Sequence, residues 1–212
     1  MPHNIPNTDQ EILSATQQIR TAYRLKRTLR YSTTRDFNTH NESVAEHVFA
    51  LFFLAEYFLP FEDPRGTLDI AKLHRIILFH DFGEIAHGDV PYHLKTHEHE
   101  SQEEKDAVAI FAELPPPLDT IGHESWFAYK NQDSPEARFA CALDKIEPLF
   151  ELLDPVNEQS MKRLKFTYQD HRRRKWESTE HFPLMRRFVE AISSDMLARD
   201  VFWKDEAPTD SK

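Results

Sequence analysis

The adjacent pair His80-Asp81 is the sharpest chemical signal in the chain. Successive helical residues point about 100° apart, yet an imidazole nitrogen and a carboxylate so placed can converge on one ion lying beside the helix. Ile76, Ile77, Leu78 and Phe79 precede the pair, so it sits where the chain enters the core, and buried ionisable groups there must be paired or metal-bound. His47, inside Ser43-Val44-Ala45-Glu46-His47-Val48-Phe49-Ala50, is a second donor, and Asp144, inside Phe139-Ala140-Cys141-Ala142-Leu143-Asp144-Lys145-Ile146, a third. Each alone has a plainer reading. His47 could be a core histidine satisfied by a hydrogen bond, and Asp144 could pair with Lys145 or an Arg. Nitrogen plus carboxylate ligation suits zinc, manganese, cobalt or iron better than calcium.

The elements that must carry these residues read as helical. Only four glycines occur in 212 residues, and neither a hairpin signal nor a period-2 strand run appears, so the expected fold is all-α, one helical domain over 1–203 with a frayed tail over 204–212. Thr8 with Glu11 forms a capping-box pattern, followed by an apolar face of Ile12, Ala15, Ile19 and Ala22. Ser43 with Glu46 repeats the pattern and opens a helix over about 44–59, ended by Pro60 and Pro64. A third helix is expected from about Leu68 to Ala86, carrying His80, Asp81 and Glu84 together. A polar, His-rich loop follows over 92–101, then a helix from Gln102 to Leu114 and a short one over 118–130. Ser134-Pro135 starts another, with a kink expected at Pro148. Two further helices fill 158–203, the last from Leu184 to Phe202. Arg172-Arg173-Arg174-Lys175 reads as a solvated face, with an oligomer contact as the alternative, and Cys141 as a small core residue.

Composition narrows the partners. Hydrophobic residues make up 40% and charged residues 29%, and the net charge is −10. Such acidity argues against broad binding to nucleic acid polymers. The apolar run Ala50 to Ala55 is too short to span a bilayer, no signal-peptide pattern opens the chain, and the single cysteine makes no internal disulfide. The expectation is a cytoplasmic protein without a membrane partner.

His47, then His80-Asp81, then Asp144, in that order, resemble the HD-domain phosphohydrolases. The likeness extends to the 5′-deoxynucleotidase branch. Glu42-Ser43-Val44-Ala45-Glu46-His47 looks like its first-histidine segment, and Ala142-Leu143-Asp144-Lys145 like its last. His80-Asp81-Phe82-Gly83-Glu84-Ile85-Ala86-His87-Gly88-Asp89-Val90-Pro91 is similar to its central motif. The resemblance implies one divalent metal (Co, Mn, Mg, Zn or Fe) on His47, His80, Asp81 and Asp144, with positions open for water and a phosphate oxygen. It implies that Glu84, three residues after Asp81, works on that water or on the leaving oxygen. Asp89, after the turn at Gly88, would contact the sugar hydroxyl, and Arg30 the phosphate, with Arg27 and Arg35 competing for that role. Where relatives often carry a Trp shortly after this Arg, the chain has Tyr31-Ser32-Thr33-Thr34. Tyr31 would then shape the sugar pocket, and ribose against deoxyribose stays open. The stretch His93 to His99 reads most simply as an exposed loop, with Lys95 in it as a further candidate substrate contact.

The function expected is removal of the 5′-phosphate from a (deoxy)nucleoside monophosphate by a homodimer. The alternatives are triphosphate removal from deoxynucleoside triphosphates, a binuclear-iron oxygenase recruiting His87, His93, His97 or His99, and a nucleotide-binding protein without activity.

Overall fold

The computed structural model describes residues 8–30, 42–90, 94–153, 161–163 and 165–204. Both capping boxes form. Thr8 accepts from the Glu11 amide at 3.2 Å while its own amide donates to the Glu11 carboxylate at 2.9 Å, which starts α1 (Asp9–Ile19). A 3-10 helix (Arg20–Arg27) continues it. Ser43 and Glu46 make the same exchange at 3.2 and 2.6 Å and open α2 (Val44–Glu62). α3 (Ile70–Phe79), the short α4 (Glu84–His87), α5 (His97–Glu113), α6 (Leu118–Asn131), α7 (Pro135–Glu151), α8 (Tyr168–Ser178) and α9 (Pro183–Ala198) complete the described helices. No strand occurs among the described residues, only two isolated bridges, and the fold is all-α.

Several boundaries differ from the sequence reading, each for a local reason. α2 runs through Pro60 to Glu62. The missing proline N–H leaves only the Glu56 carbonyl without a helix donor, and Glu56 and Pro60 are both exposed, so water can serve it. α3 stops at Phe79 instead of reaching Ala86. Beyond it the bonds tighten to three-residue turns, Phe82 N to Phe79 O at 3.2 Å and Glu84 N to Asp81 O at 3.1 Å. Gly83 sits inside this turn because a Cβ there would lie 2.9 Å from the Glu103 carbonyl of α5. α5 begins at His97, within the expected loop, because Thr96 accepts from the His99 amide at 3.3 Å and His99 Nδ1 accepts from the Thr96 amide at 3.1 Å. α9 ends at Ala198, not Phe202. Asp200 turns left-handed at φ 59, Val201 N bonds back to Met196 O at 3.1 Å, and Val201 and Phe202 fold into the core. Ile12 and Ile19, expected on a packed face of α1, are exposed.

α7 is the central helix, with eleven buried residues, Cys141 among them. With α2, α3 and α9 it builds the main cluster around Leu51, Phe58, Leu73, Ile77, Leu143, Met185 and Val189. A second cluster joins Leu25, Phe79, Phe82, Ile85, Phe111 and Trp126. His47 lies between Val44 of the second cluster and Val48 of the first, and His80 between Ile77 of the first and Phe79 of the second. The seam between the two apolar clusters is therefore where the polar residues gather. α2 is long and apolar enough to cross a membrane by length and composition, unlike the six-residue run judged from sequence, yet its inner face carries His47, Val48, Leu51, Ala55 and Phe58 into this core.

Candidate metal centre

Three elements converge. α2 brings His47, the turn after α3 brings His80 and Asp81, and α7 brings Asp144. His47 Nε2 lies 3.2 Å from Asp144 Oδ1 and 3.8 Å from Asp81 Oδ2. His80 Nε2 lies 3.1 Å from Asp81 Oδ2 and 3.9 Å from Asp144 Oδ1. Both imidazoles turn the same nitrogen inward because the other is anchored. His47 Nδ1 donates to Glu147 Oε2 at 2.9 Å, and His80 Nδ1 to the Ile77 carbonyl at 2.8 Å. With Nδ1 protonated, Nε2 carries the lone pair, the arrangement that prepares a histidine for a metal.

The donor set fits a divalent ion. Donor atoms of His47, His80 and Asp81 lie within 4.8 Å of one another, Asp144 Oδ1 lies 3.2 and 3.9 Å from the two histidine nitrogens, and two carboxylates balance a double charge. His80 Nε2 is buried and faces the Asp81 and Asp144 carboxylates at 3.1 and 3.9 Å, donors that a cation between them would share. Asp144 Oδ1 faces the histidines, while Oδ2 accepts from the Tyr129 hydroxyl and from Lys145 Nζ. The plain pairing of Asp144 with Lys145 thus exists alongside the cluster. Burial opposes ionisation, but Lys145, His47 and His80 hold Asp144 well below the usual carboxylate range. Against the same opposition, His80 and then His47 hold Asp81 low. Burial and Arg30 work against a charged His47, yet Glu147 and Asp144 raise it to about 9. Without a metal that ring holds a proton, so loading an ion displaces one.

Glu84 is buried at the start of α4. Burial, reinforced by Asp81 and Asp89, pushes its carboxyl well above the usual range, so it is a proton holder beside the cluster. Its Oε2 has no hydrogen-bond partner among the described residues. Asp89 follows Gly88, whose φ of 80 makes the turn, and it is near enough to act on Glu84 electrostatically. The expected placement of Glu84 on one continuous helix with His80 is corrected: a tight turn, not a helix face, brings them together.

Arg30 is buried, with Nε 3.4 Å from Glu42 Oε2. Backbone bonds from Arg30 N to Glu42 O at 2.8 Å and Val44 N to Thr28 O at 2.9 Å pin its segment to the start of α2. Its charge is felt by His47, Glu84 and Glu147. Lys95 pairs with Glu103 of α5 and lies within the field of Glu84 and Asp81. Tyr31 falls outside the described residues, as do Arg35, His93 and 205–212. Of the remaining candidates for a second metal, His87 pairs with Asp106, His97 is fully exposed and His99 caps α5.

Sequence reasoning missed Glu147, Glu42 and Tyr129. Glu42, His47 and Glu147 form a second buried donor group, but Arg30 already supplies its cation. Burial and Glu147 raise Glu42 to about 8. Glu147 follows Asp144 by three residues, a helix neighbour that the pattern offered. Tyr129 gave no signal. Lys175, expected on a solvated face, is buried and donates Nζ to the Lys145 carbonyl. The amphipathic period of α8 is masked by its run of basic residues.

Comparison with known proteins gives one family and one fold. No curated protein matches the chain. A structure described as a predicted metal-dependent phosphohydrolase from Magnetospirillum magnetotacticum has a TM-score of 0.78 at 23% identity, covering 93% of this chain and 99% of its own. An HD-domain phosphohydrolase from Listeria innocua has a TM-score of 0.56 at 19% identity, covering 87% and 98%. A conserved hypothetical protein from Pyrococcus furiosus has a TM-score of 0.62 at 19% identity, covering 84% and 99%. At these identities the likeness is one of fold. The HD domain family model matches residues 22–185, a span that contains every residue of the cluster, and the chain belongs to the HD-domain family.

Proposed function

We propose that the chain is a metal-dependent phosphohydrolase that removes the 5′-phosphate of a (deoxy)nucleoside monophosphate. The observation that carries this reading is the inward convergence of His47 Nε2, His80 Nε2, Asp81 and Asp144 Oδ1, with the buried His80 nitrogen facing the two carboxylates. These four would hold one divalent ion, which supplies an activated water and neutralises charge on phosphorus. Its identity among Co, Mn, Mg, Zn and Fe is left to experiment.

The chain's own groups do the rest. Glu84, whose carboxyl burial pushes well above the usual range, is the candidate donor of a proton to the departing ester oxygen. Arg30, steadied by Glu42, is the candidate phosphate clamp. Asp89 is the candidate sugar contact, and Tyr31, outside the described residues, and Lys95, paired with Glu103, are the further candidate substrate contacts. Lys95 and Lys145 are each matched by a carboxylate, Glu103 and Asp144. That charge balance favours a monophosphate over a triphosphate. The buried thiol of Cys141 suits a reducing compartment, and cytoplasmic location belongs to the same proposal.

The test is product release from a panel of ribo- and deoxyribonucleoside mono- and triphosphates, with chelator-stripped protein reloaded with Co, Mn, Mg or Zn. Orthophosphate from monophosphates is expected. Tripolyphosphate from deoxynucleoside triphosphates would replace the monophosphate reading, and no phosphate release with any metal would reject it.

A further inference from the structure

α4 carries Glu84 but is only four residues long, Glu84–His87, so contacts from outside must hold it in place. On one side Gly83 packs against Glu103 of α5. On the other, Arg24 of the 3-10 helix reaches a residue 61 positions away and donates from Nη2 to the Ile85 carbonyl at 3.2 Å. The last carbonyls of a helix lack donors of their own, and an arginine side chain can supply one. The Glu84 carbonyl takes the Gly88 amide at 2.7 Å where the chain turns, and the Ile85 carbonyl, next in line, takes the guanidinium. Leu25, the neighbour of Arg24, is buried in the same apolar cluster as Phe82 and Ile85, which brings the two segments together. The nearby cation Lys26 lies over the Tyr23 ring instead, 4.5 Å from its centroid.

We infer that Arg24 is a positioning residue: it ties the turn that bears Glu84 to the segment that bears Arg30, and so fixes the acid and the phosphate clamp relative to each other. The inference rests on the roles proposed above for Glu84 and Arg30. Backbone bonds make the rest of the connection. The Arg24 carbonyl accepts from the Thr28 amide at 3.2 Å, the Thr28 carbonyl accepts from the Val44 amide at 2.9 Å, and Arg30 N donates to the Glu42 carbonyl at 2.8 Å. Val44 opens α2, which carries His47 three residues on. One segment therefore meets the histidine helix, the clamp and the acid-bearing turn. Arg24 supplies the last of these links, and its guanidinium makes no other hydrogen bond or ion pair among the described residues. Replacing it removes that one contact. Because the donor is charged, the bond is stronger than one between neutral groups.

The experiment is hydrogen–deuterium exchange by mass spectrometry on the metal-loaded full chain, wild type against Arg24→Ala and Arg24→Lys, with metal content and turnover measured on the same samples. Loss of a charged hydrogen bond should speed exchange of the amides over 84–88 by about tenfold or more in Arg24→Ala, with α7 and α9 unchanged. kcat should fall by about 10–100-fold, with KM and metal content close to wild type. Arg24→Lys keeps a charged donor and should recover most of both. Unchanged exchange over 84–88 in Arg24→Ala would overturn the inference. A rise spread equally over α7 and α9 would overturn it too, as would local loosening with kcat at the wild-type level. A wild type that turns over no nucleotide would reject the functional reading alone, and the exchange data would still decide whether Arg24 holds the turn.

Discussion

Replacing Glu147 with Gln removes one negative charge from behind the metal centre without changing its shape. In the native chain the carboxylate accepts the His47 Nδ1 proton at 2.9 Å in a buried setting. Burial opposes its charge, but His47 and Arg30 keep it ionised. Hydrogen bonds to an ionised partner are about twice as strong as neutral ones, and loss of a group that holds a metal-ligating histidine costs about 10–100-fold in metal affinity. The amide oxygen of Gln still accepts the bond, so Glu147→Gln belongs at the lower end, about tenfold or 1.4 kcal/mol. Glu147→Ala leaves the Nδ1 proton unpaired in the core and belongs near a hundredfold. The assay is chelator competition for cobalt or zinc at fixed pH, alongside urea unfolding of the metal-free chain and KM for the substrate. A positioning role predicts weaker metal binding in the order wild type, Gln, Ala, with KM little changed once metal is saturating. Unchanged metal affinity in Glu147→Ala would refute the argument. So would a loss fully accounted for by instability of the metal-free chain.

Other consequences are open to simpler tests. Glu84→Gln keeps the shape but cannot give up an acidic proton, so kcat should fall by about 10²–10⁴ while metal content stays as in wild type; full turnover with Gln would remove Glu84 from the chemistry. Gly83→Ala puts a Cβ 2.7 Å from Glu103 Cγ and 2.9 Å from its carbonyl, which should cost about 1–3 kcal/mol and displace Asp81 and Glu84, read as a lower Tm and a lower kcat together. His171 bonds Ser193 Oγ at 2.8 Å, and burial, then Lys175, lowers it from 6.5 to about 2. The unfolded chain therefore takes a proton below about pH 6.5 that the folded chain refuses, so stability falls with pH from 6.5 towards 2, by about 1.4 kcal/mol per unit. His171→Asn should flatten that part of the Tm against pH curve; an equal slope in both proteins would contradict the assignment.

What the sequence shows well is what short-range chemistry dictates. Thr8 with Glu11 and Ser43 with Glu46 cap helices at the expected residues, because a capping box is closed within four residues. His80-Asp81 announces itself because an acid and an imidazole follow an apolar run. What the sequence hides depends on contacts made from afar. The tight turns after Phe79 bring Gly83 against Glu103 of α5, a contact that no helical period encodes. Tyr129 reaches Asp144 from a different helix, and Arg30 meets Glu42 across a bridge between Leu29 and Ser43. α2 shows a further limit. Its sequence is apolar nearly all round, so composition cannot say that Val48 and Leu51 are core while Phe49 and Phe53 face outward.

The central claim is a single metal ion held by His47, His80, Asp81 and Asp144. Metal content by inductively coupled plasma mass spectrometry, on wild type and on His80→Ala reloaded side by side with one divalent metal and desalted, tests it most directly. One ion per chain in wild type and close to none in His80→Ala is the predicted result. Two ions per chain, or equal content in both proteins, would contradict it.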